Sequence, residues 1–266
     1  MIPARPHPLL VTFGLAMAVV LVAPTVIVMI MSFSAGRLLS FPPQGLSLHW
    51  YANFLGSDTW TRAIWTSAEV GIATAAVSAF LGTLMALGLV RGRSPGLHLL
   101  QGLVLGPMIV PPVVLAIGLY FMFVRWHLTG TFVGMVAAHT ALALPYVVVV
   151  TSSSLRTFDR TLELAANSLG AGPTRTFVKV TLPLILPSVA AGCLFAFIIS
   201  WDELIVAYFL STPQVRTLPV VMWSAAQDST DPTLAAVATF LSVITVLILL
   251  LSHVIRRRSA ALWPAP

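Results

Sequence analysis

The sequence predicts an all-α membrane protein with six transmembrane helices. Of its 266 residues, 58% are apolar and 8% are charged, whereas a soluble domain carries about 25% charged residues. The apolar residues also gather in six stretches that contain at most two charged side chains each. About 20 helical residues cross a hydrocarbon core of about 30 Å, so each stretch is long enough to span a bilayer.

The first predicted span comprises residues 9–33, an uncharged stretch of 25 residues. It is longer than the apolar core of a signal peptide, which has about 7–15 residues. We therefore expect a retained helix. The other five spans are predicted at residues 64–90, 97–124, 131–154, 184–210 and 233–255.

Small residues and prolines mark the second and third spans. Ser78, Gly82 and Ala86 recur at a four-residue spacing, which lets another helix approach closely. In the third span, Gly106-Pro107 and Pro111-Pro112 fall near mid-membrane, where lost backbone hydrogen bonds are tolerated only against protein or a watered cavity. These prolines predict either a break that lines a pathway or a kink that serves packing.

The basic side chains predict that both termini are cytoplasmic. Six spans place the termini on one side of the membrane, and cytoplasmic loops are richer in Lys and Arg than outer loops. With the termini inside, the outer segments hold four of the 14 basic residues, namely Arg37, Arg62, Arg125 and Arg216. The inner segments hold the other ten, namely Arg5, Arg91, Arg93, Arg156, Arg160, Arg175, Lys179, Arg256, Arg257 and Arg258. The excess of basic residues on the cytoplasmic side accounts for the net charge of +6. We therefore expect no nucleic-acid binding.

The inner loop at residues 155–183 predicts a helix–turn–helix that docks on a partner. Gly170 is expected to end the first helix, and Gly172-Pro173 is expected to open the second, which runs to Pro183. Alanine side chains anchor weakly in lipid, which favours a protein partner over two helices that lie on the membrane surface. The first helix has an apolar face with residues at i, i+3, i+4 and i+7, formed by Leu162, Ala165, Ala166 and Leu169.

This loop resembles the EAA loop of binding-protein-dependent ABC transporter permeases. The resemblance is carried by Glu163-Leu-Ala-Ala-Asn-Ser-Leu-Gly-Ala and Phe177-Val-Lys-Val-Thr-Leu-Pro183. In the usual form a glutamate directly precedes the two alanines, whereas here Leu164 takes that place and the acid is Glu163. The resemblance implies the MetI-like permease fold of type I ABC importers. It also implies that the loop enters a cleft of a cytoplasmic ATPase, through Leu162, Glu163, Ala165, Ala166, Leu169 and Gly170.

Three further segments are similar to the spermidine/putrescine branch of that family. They are Ser34-Ala-Gly-Arg-Leu-Leu-Ser-Phe-Pro-Pro, Ser200-Trp-Asp-Glu-Leu-Ile-Val-Ala and Thr217-Leu-Pro-Val-Val-Met-Trp. The resemblance implies that the chain forms half of a translocation path for a small cationic solute, a polyamine, in a bacterial inner membrane. Branches that serve ferric iron or sulfate share the EAA loop, so another solute is the alternative.

The family resemblance also implies the partners. They are a sister permease subunit, a dimer of cytoplasmic ABC ATPases and a periplasmic solute-binding protein, with the lipid bilayer around the permease. The ATPase would use ATP and Mg, and this chain is expected to bind no cofactor. ATP hydrolysis would alternate the access of the path between outside and inside.

Four residues near the outer end of the fifth span are candidates for contact with the solute. Trp201, Asp202 and Glu203 lie about 27 Å along a helix from its inner end, where carboxylates are costly unless they are used or paired. One carboxylate would pair with an ammonium group, and Trp201 and Tyr208 would offer cation–π surface from one helix face. Adjacent acids diverge by about 100°, so one acid is expected to face the path, with Asp202 favoured. In the alternative, both acids anchor neighbouring helices or lie in the outer interface.

His139 is another candidate within a predicted span. An imidazole there could join a proton relay, but no acidic residue is adjacent in the sequence. We therefore expect a hydrogen-bonded packing role.

Other protein classes lack their residue signatures in this chain. A P-loop needs Gly-Lys-Ser/Thr, and the only lysine, Lys179, follows Val178. The chain is therefore not expected to be an ATPase or another enzyme, and no catalytic residue is assigned. A single cysteine, Cys193, and the lack of an HExxH pair give no basis for a disulfide, redox or metal site. A self-sufficient secondary transporter would normally show internal repeats, and it is the less favoured alternative.

Overall fold

The computed structural model describes residues 8–92, 94–228 and 232–262, without the side chains of residues 253 and 255–262. This part of the chain is helical and contains no β-strand. A π-helical turn at Phe177–Thr181 joins α8 to α9. The helices are α1 (Pro8–Met31), α2 (His49–Gly56), α3 (Asp58–Arg91), α4 (Leu97–Ile109), α5 (Pro112–Arg125), α6 (Phe132–Thr157), α7 (Thr161–Ser168), α8 (Pro173–Thr176), α9 (Leu182–Trp201), α10 (Ile205–Leu210), α11 (Leu218–Asp228) and α12 (Thr233–Leu262).

Five helical stretches in the described residues are long and apolar enough to cross a membrane. They are α1, α3, α6, the stretch Pro173–Trp201 and the part of α12 that covers Thr233–Ser252. The bent pair α4 and α5 brings the number to six if it counts as one span. The predicted all-α membrane fold is therefore confirmed. The orientation stays a prediction. Among the basic residues on which it depends, Arg5, Arg93 and the side chains of Arg256, Arg257 and Arg258 lie outside the described residues.

The third predicted span, residues 97–124, is not one helix. α4 and α5 meet at an angle of 111°, so the prolines break the segment rather than kink it. Val110 is extended, with ψ 132°, as is usual before a proline. Pro111 and Pro112 have no N–H with which to continue the helical hydrogen bonds.

The fifth predicted span, residues 184–210, differs at both ends. The stretch Pro173–Trp201 is continuous, so a separate second loop helix that ends at Pro183 is wrong. The π turn closes with a hydrogen bond from Leu182 N to Phe177 O, and this wider turn lets the helix pass a proline that has no N–H. At the other end the helix stops at Trp201, and α10 is a separate short helix.

The small residues of α3 lie against α6, as predicted from their spacing. Ser78, Gly82 and Ala86 are buried. A Cβ added at Gly82 would stand 2.7 Å from Val147 Cγ1, which is closer than side chains approach. Gly192 of α9 is packed against the same valine, because a Cβ added there would stand 3.3 Å from the Cα of Val147. Close contact through small residues therefore joins α3, α6 and α9.

The described chain divides into two compact units. One combines α1 and α2 with residues 222–243, and the other holds residues 62–221 and the chain from residue 244 onward. All candidate site residues belong to the second unit. Its core includes an apolar cluster contributed by α3, α5, α6, α10 and α11, with Val70, Phe123, Met135, Leu210 and Val220 among its members.

Candidate functional site

The predicted docking helix is α7, and both of its ends are fixed by hydrogen bonds. At the start, Asp159 Oδ1 accepts the backbone N–H of Thr161 at 2.9 Å. That bond favours the ionised carboxylate and lowers the pKa of Asp159. At the end, Gly170 has φ +84°, and the bonds Gly170 N to Asn167 O and Ala171 N to Ala166 O form a Schellman motif. The helix ends at the glycine as the sequence predicts.

The second part of the loop is tied back to α7. Pro173 occupies the first turn of α8 with Gly172 as its N-cap, as predicted. Thr176 Oγ1 donates to Asn167 Oδ1 at 3.0 Å. Thr176 is buried, so this contact fixes the angle between the two helical segments.

Three leucines of α7 and its C-terminal end are exposed at the outside of the chain. Leu162 is exposed, and Leu164 and Leu169 are 64% and 89% exposed. Ala165 is exposed as well, whereas Ala166 is half-buried. The apolar face predicted from the sequence is thus largely outward. Leu164 is exposed as well, about 200° around the helix from Leu162.

Glu163 points the other way and holds the loop to the rest of its unit. Its Oε1 forms an ion pair with Arg91 Nη2 at the end of α3 and accepts a hydrogen bond from Thr181 Oγ1. The side chain of Glu163 is 15% exposed and that of Arg91 is 31% exposed. The acid of the motif is therefore engaged within the chain, and its neighbour Leu164 is the outward residue. The sequence indicates Arg91 only as a marker of topology, because no local pattern links residues 91 and 163.

The break between α9 and α10 is built around Glu203. Its Oε1 accepts the N–H of Val206 at 2.9 Å, and its Oε2 accepts the N–H of Ala207 at 2.8 Å. These are backbone donors of the first turn of α10, which have no partner within a helix. Glu203 thus anchors a neighbouring helix, as expected for this acid in the alternative that gives both acids such a role.

A buried histidine lies beside this cap. His139 Nδ1 is 2.7 Å from Ser200 Oγ, and His139 Nε2 is 3.8 Å from Glu203 Oε2. The side chain of His139 is fully buried. The predicted hydrogen bond of a buried histidine is therefore present at Nδ1. The fold also supplies an acidic neighbour that is 64 positions away in the sequence, so the packing role stays a prediction.

The remaining path candidates differ in exposure. Asp202 is exposed and accepts a hydrogen bond from Thr245 Oγ1 at 3.3 Å. Trp201 is buried, and its ring stacks on Phe197 with centroids 5.6 Å apart. Tyr208 is 48% exposed on α10. The expectation that Trp201 and Tyr208 share a helix face is wrong, because the helix ends between them.

The sequence matches one protein family over most of its length. The profile of the family described as "Binding-protein-dependent transport system inner membrane component" matches residues 78–260. The putrescine transport system permease protein PotI of Escherichia coli (strain K12) is 34% identical over 228 residues, 83% of this chain and 81% of the relative. The spermidine/putrescine transport system permease protein PotC of the same strain is 30% identical over 245 residues, 92% of each chain.

Solved structures share the fold at lower identity. A chain of a bacterial alginate ABC transporter, in complex with an alginate pentasaccharide-bound periplasmic protein, aligns with a TM-score of 0.73 and 17% identity over 94% of this chain and 95% of that one. A chain of the MetNI methionine ABC transporter, in inward-facing conformations, aligns with a TM-score of 0.59 and 17% identity over 76% of this chain and 99% of that one. The fold is that of ABC importer membrane subunits.

Proposed function

The chain belongs to the family of binding-protein-dependent transport system inner membrane components, and from that membership we propose its part in an importer. It is a multi-pass inner-membrane protein that serves as one of two permease subunits of an ATP-driven importer. It forms half of the translocation path. A soluble periplasmic protein delivers the solute, and a dimer of separate ABC ATPases hydrolyses ATP with Mg. The chain itself binds no cofactor and performs no catalysis.

The observation that carries this proposal is the construction of α7. Leu162, Leu164 and Leu169 are exposed, yet the helix beneath them is fixed through Glu163 to Arg91 and through Gly170 at its end. A fixed helix with exposed leucines is suited to bind in an apolar groove on another protein. The partner that we propose for this surface is the ATPase, and the loop and both termini would then lie in the cytoplasm.

The solute we propose is a polyamine. PotI and PotC are named for putrescine and spermidine transport, and both align with more than four fifths of this chain. Asp202 supplies an exposed carboxylate next to the helix break, which is the charge that an ammonium group requires. Tyr208 is exposed nearby in the sequence and offers an aromatic face.

The test is solute uptake by proteoliposomes that contain this chain, a sister permease and the ATPase. Wild type takes up spermidine when both ATP and the binding protein are present. Gly170→Asp places a side chain at φ +84°, a backbone region that costs about 1–3 kcal/mol, and it adds charge beside Leu169. We expect uptake to fall at least about tenfold while the membrane subunits remain assembled.

Gly172→Asp is the matched control. It adds the same charge two positions away, but Gly172 has φ −73° and a Cβ there meets no atom within 4 Å. We expect uptake close to wild type. If uptake instead runs on an ion gradient without the ATPase and ignores Gly170→Asp, the importer proposal is wrong and the chain is a secondary transporter. If ATP drives uptake of another solute and not spermidine, only the polyamine assignment is wrong.

A further inference from the structure

A cavity of about 250 Å³ lies between α3, α4 and α6 within the second unit, and neither α7 nor the α9–α10 break contributes a residue to its wall. Part of its wall is apolar and part can form hydrogen bonds. The apolar residues are Leu89, Leu105, Val148 and Val149. The polar residues are Gln101, Ser152, Ser153 and Arg156.

Arg156 is the cation of this cavity. It is exposed, and no carboxylate of the described residues forms an ion pair with it. Two other arginines at this end of the unit are engaged, because Arg91 pairs with Glu163 and Arg160 Nη2 donates to Val90 O at 3.4 Å. A guanidinium has five N–H donors in a fork that fits phosphate and carboxylate oxygens. Arg156 is therefore available for an anionic ligand.

Ser152 adds a second polar group to the same wall. Its Oγ is buried and has no hydrogen-bond partner among the described residues. Burial of a hydroxyl without a partner costs about 1–3 kcal/mol. Ser152 lies four residues before Arg156 and thus on the same face of α6. An oxygen-rich ligand held by Arg156 would also accept a hydrogen bond from Ser152.

The position of Arg156 along α6 sets its depth in the membrane. The helix has 26 residues and is therefore about 39 Å long, longer than the hydrocarbon core of about 30 Å. Arg156 is in the last turn, which reaches the headgroup layer. The apolar wall begins at Val149 and Val148, two turns deeper, where acyl chains begin.

We propose that this cavity binds the headgroup of an anionic phospholipid. The phosphodiester oxygens accept hydrogen bonds from Arg156 and Ser152, and Gln101 and Ser153 lie in reach of the rest of the headgroup. The apolar wall covers the first carbons of an acyl chain. A free phosphate ion would use the same donors but would gain nothing from the leucines and valines, so the lipid is the favoured source. Basic pockets between transmembrane helices bind lipid headgroups in this way.

The test is lipid binding to the purified importer complex in neutral detergent, followed by native mass spectrometry. Dioleoyl phosphatidylglycerol is titrated into delipidated wild type, Arg156→Gln and Arg156→Lys. We expect saturable binding to wild type that is about tenfold weaker in Arg156→Gln. Arg156→Lys keeps the charge but loses the forked guanidinium donors, so its affinity for the lipid should lie between those of wild type and Arg156→Gln. Arg175→Gln is the control, because Arg175 is exposed and does not line the cavity, and it should bind as wild type does.

Four outcomes would overturn the proposal. Equal phosphatidylglycerol binding by wild type and Arg156→Gln would remove Arg156 from any lipid site. Equal binding of dioleoyl phosphatidylcholine would show that net headgroup charge is not recognised. Full competition by inorganic phosphate would identify a free-anion site. Loss of the sister subunit from Arg156→Gln, with lipid binding unchanged, would show that Arg156 pairs with a carboxylate of that subunit instead.

Discussion

The loop around α7 and the break between α9 and α10 are built alike and present opposite chemistry. In each, a glutamate is turned inward and fixes a helix: Glu163 binds Arg91 and Thr181, and Glu203 caps α10. In each, the adjacent residue is exposed, Leu164 in the loop and Asp202 at the break. The first exposed residue is apolar and the second is charged.

In each adjacent pair, the exposed residue rather than the glutamate is free to contact a partner. An acid that already accepts two hydrogen bonds loses them if it turns to a ligand, at about 1.5–3 kcal/mol for each charge-assisted bond. Its exposed neighbour, Leu164 on α7 or Asp202 just after α9, holds no such pair of hydrogen bonds and carries no such cost. The exposed leucine suits a protein surface, and the exposed aspartate suits a cation.

The largest expected effect belongs to Glu203, because it holds two backbone donors at once. Glu203→Ala leaves the N–H groups of Val206 and Ala207 without their acceptor, at a cost of roughly 2–3 kcal/mol. We expect the melting temperature of the purified complex to fall by roughly 5 °C or more. Asp202→Ala is the matched control and should melt within about 1 °C of wild type. Equal destabilisation by both substitutions would show that Glu203 contributes no more to stability than its exposed neighbour.

A smaller effect is expected at Glu163. Glu163→Gln keeps the shape but removes the charge opposite Arg91, and both side chains are partly accessible to water, so we expect a loss of about 1 kcal/mol. Amide hydrogen exchange in α7 should become faster, and transport per ATP hydrolysed should fall. Arg91→Gln should reproduce this result, and the double variant should be no worse than either single one. Additive losses would show that the two residues act separately.

Asp202 should affect the solute rather than the fold. Asp202→Asn removes the exposed charge and leaves an oxygen for Thr245, so stability should stay within about 0.5 kcal/mol of wild type. We expect the spermidine concentration for half-maximal uptake to rise about fivefold. Uptake with unchanged concentration dependence would remove Asp202 from the path and leave both acids as structural residues.

The smallest effect is expected at Leu164, the exposed neighbour of Glu163. Leu164→Glu alters an exposed side chain, so the melting temperature should change by less than about 1 °C. Uptake should fall no more than about threefold, because Leu162 and Leu169 remain on the docking face. Complete loss of uptake would show that the contact depends on Leu164 above all.

The periodic features of the sequence predicted much of this molecule. Apolar length indicated the spans, the small residues of α3 indicated a close helix contact, and Gly170 and Pro173 marked a helix end and a helix start. Each of these signals is local, since it depends on side-chain size or on backbone freedom at one position. Such features can be predicted from the sequence because they do not depend on contacts with distant residues.

The sequence did not predict where the helices are interrupted or which residues pair across long distances in the chain. No glycine or proline marks the end of the helix at Trp201. The helix end depends instead on Glu203, which caps the next helix. The passage of the helix through Pro183 depends on a π turn that residue spacing does not indicate. The pairings of Glu163 with Arg91 and of His139 with Ser200 join residues more than 60 positions apart. Only the packing of the helices creates such contacts.

The unbroken helical stretch from Pro173 to Trp201 connects the two compared regions mechanically. Its 29 residues form a rod about 43 Å long. If one tip is pushed so that the rod tilts by about 10°, the opposite tip sweeps about 7 Å, as a stiff lever does. A push on the loop beside Pro173 would therefore reach Asp202 in a single movement, without a relay of side-chain rearrangements between them.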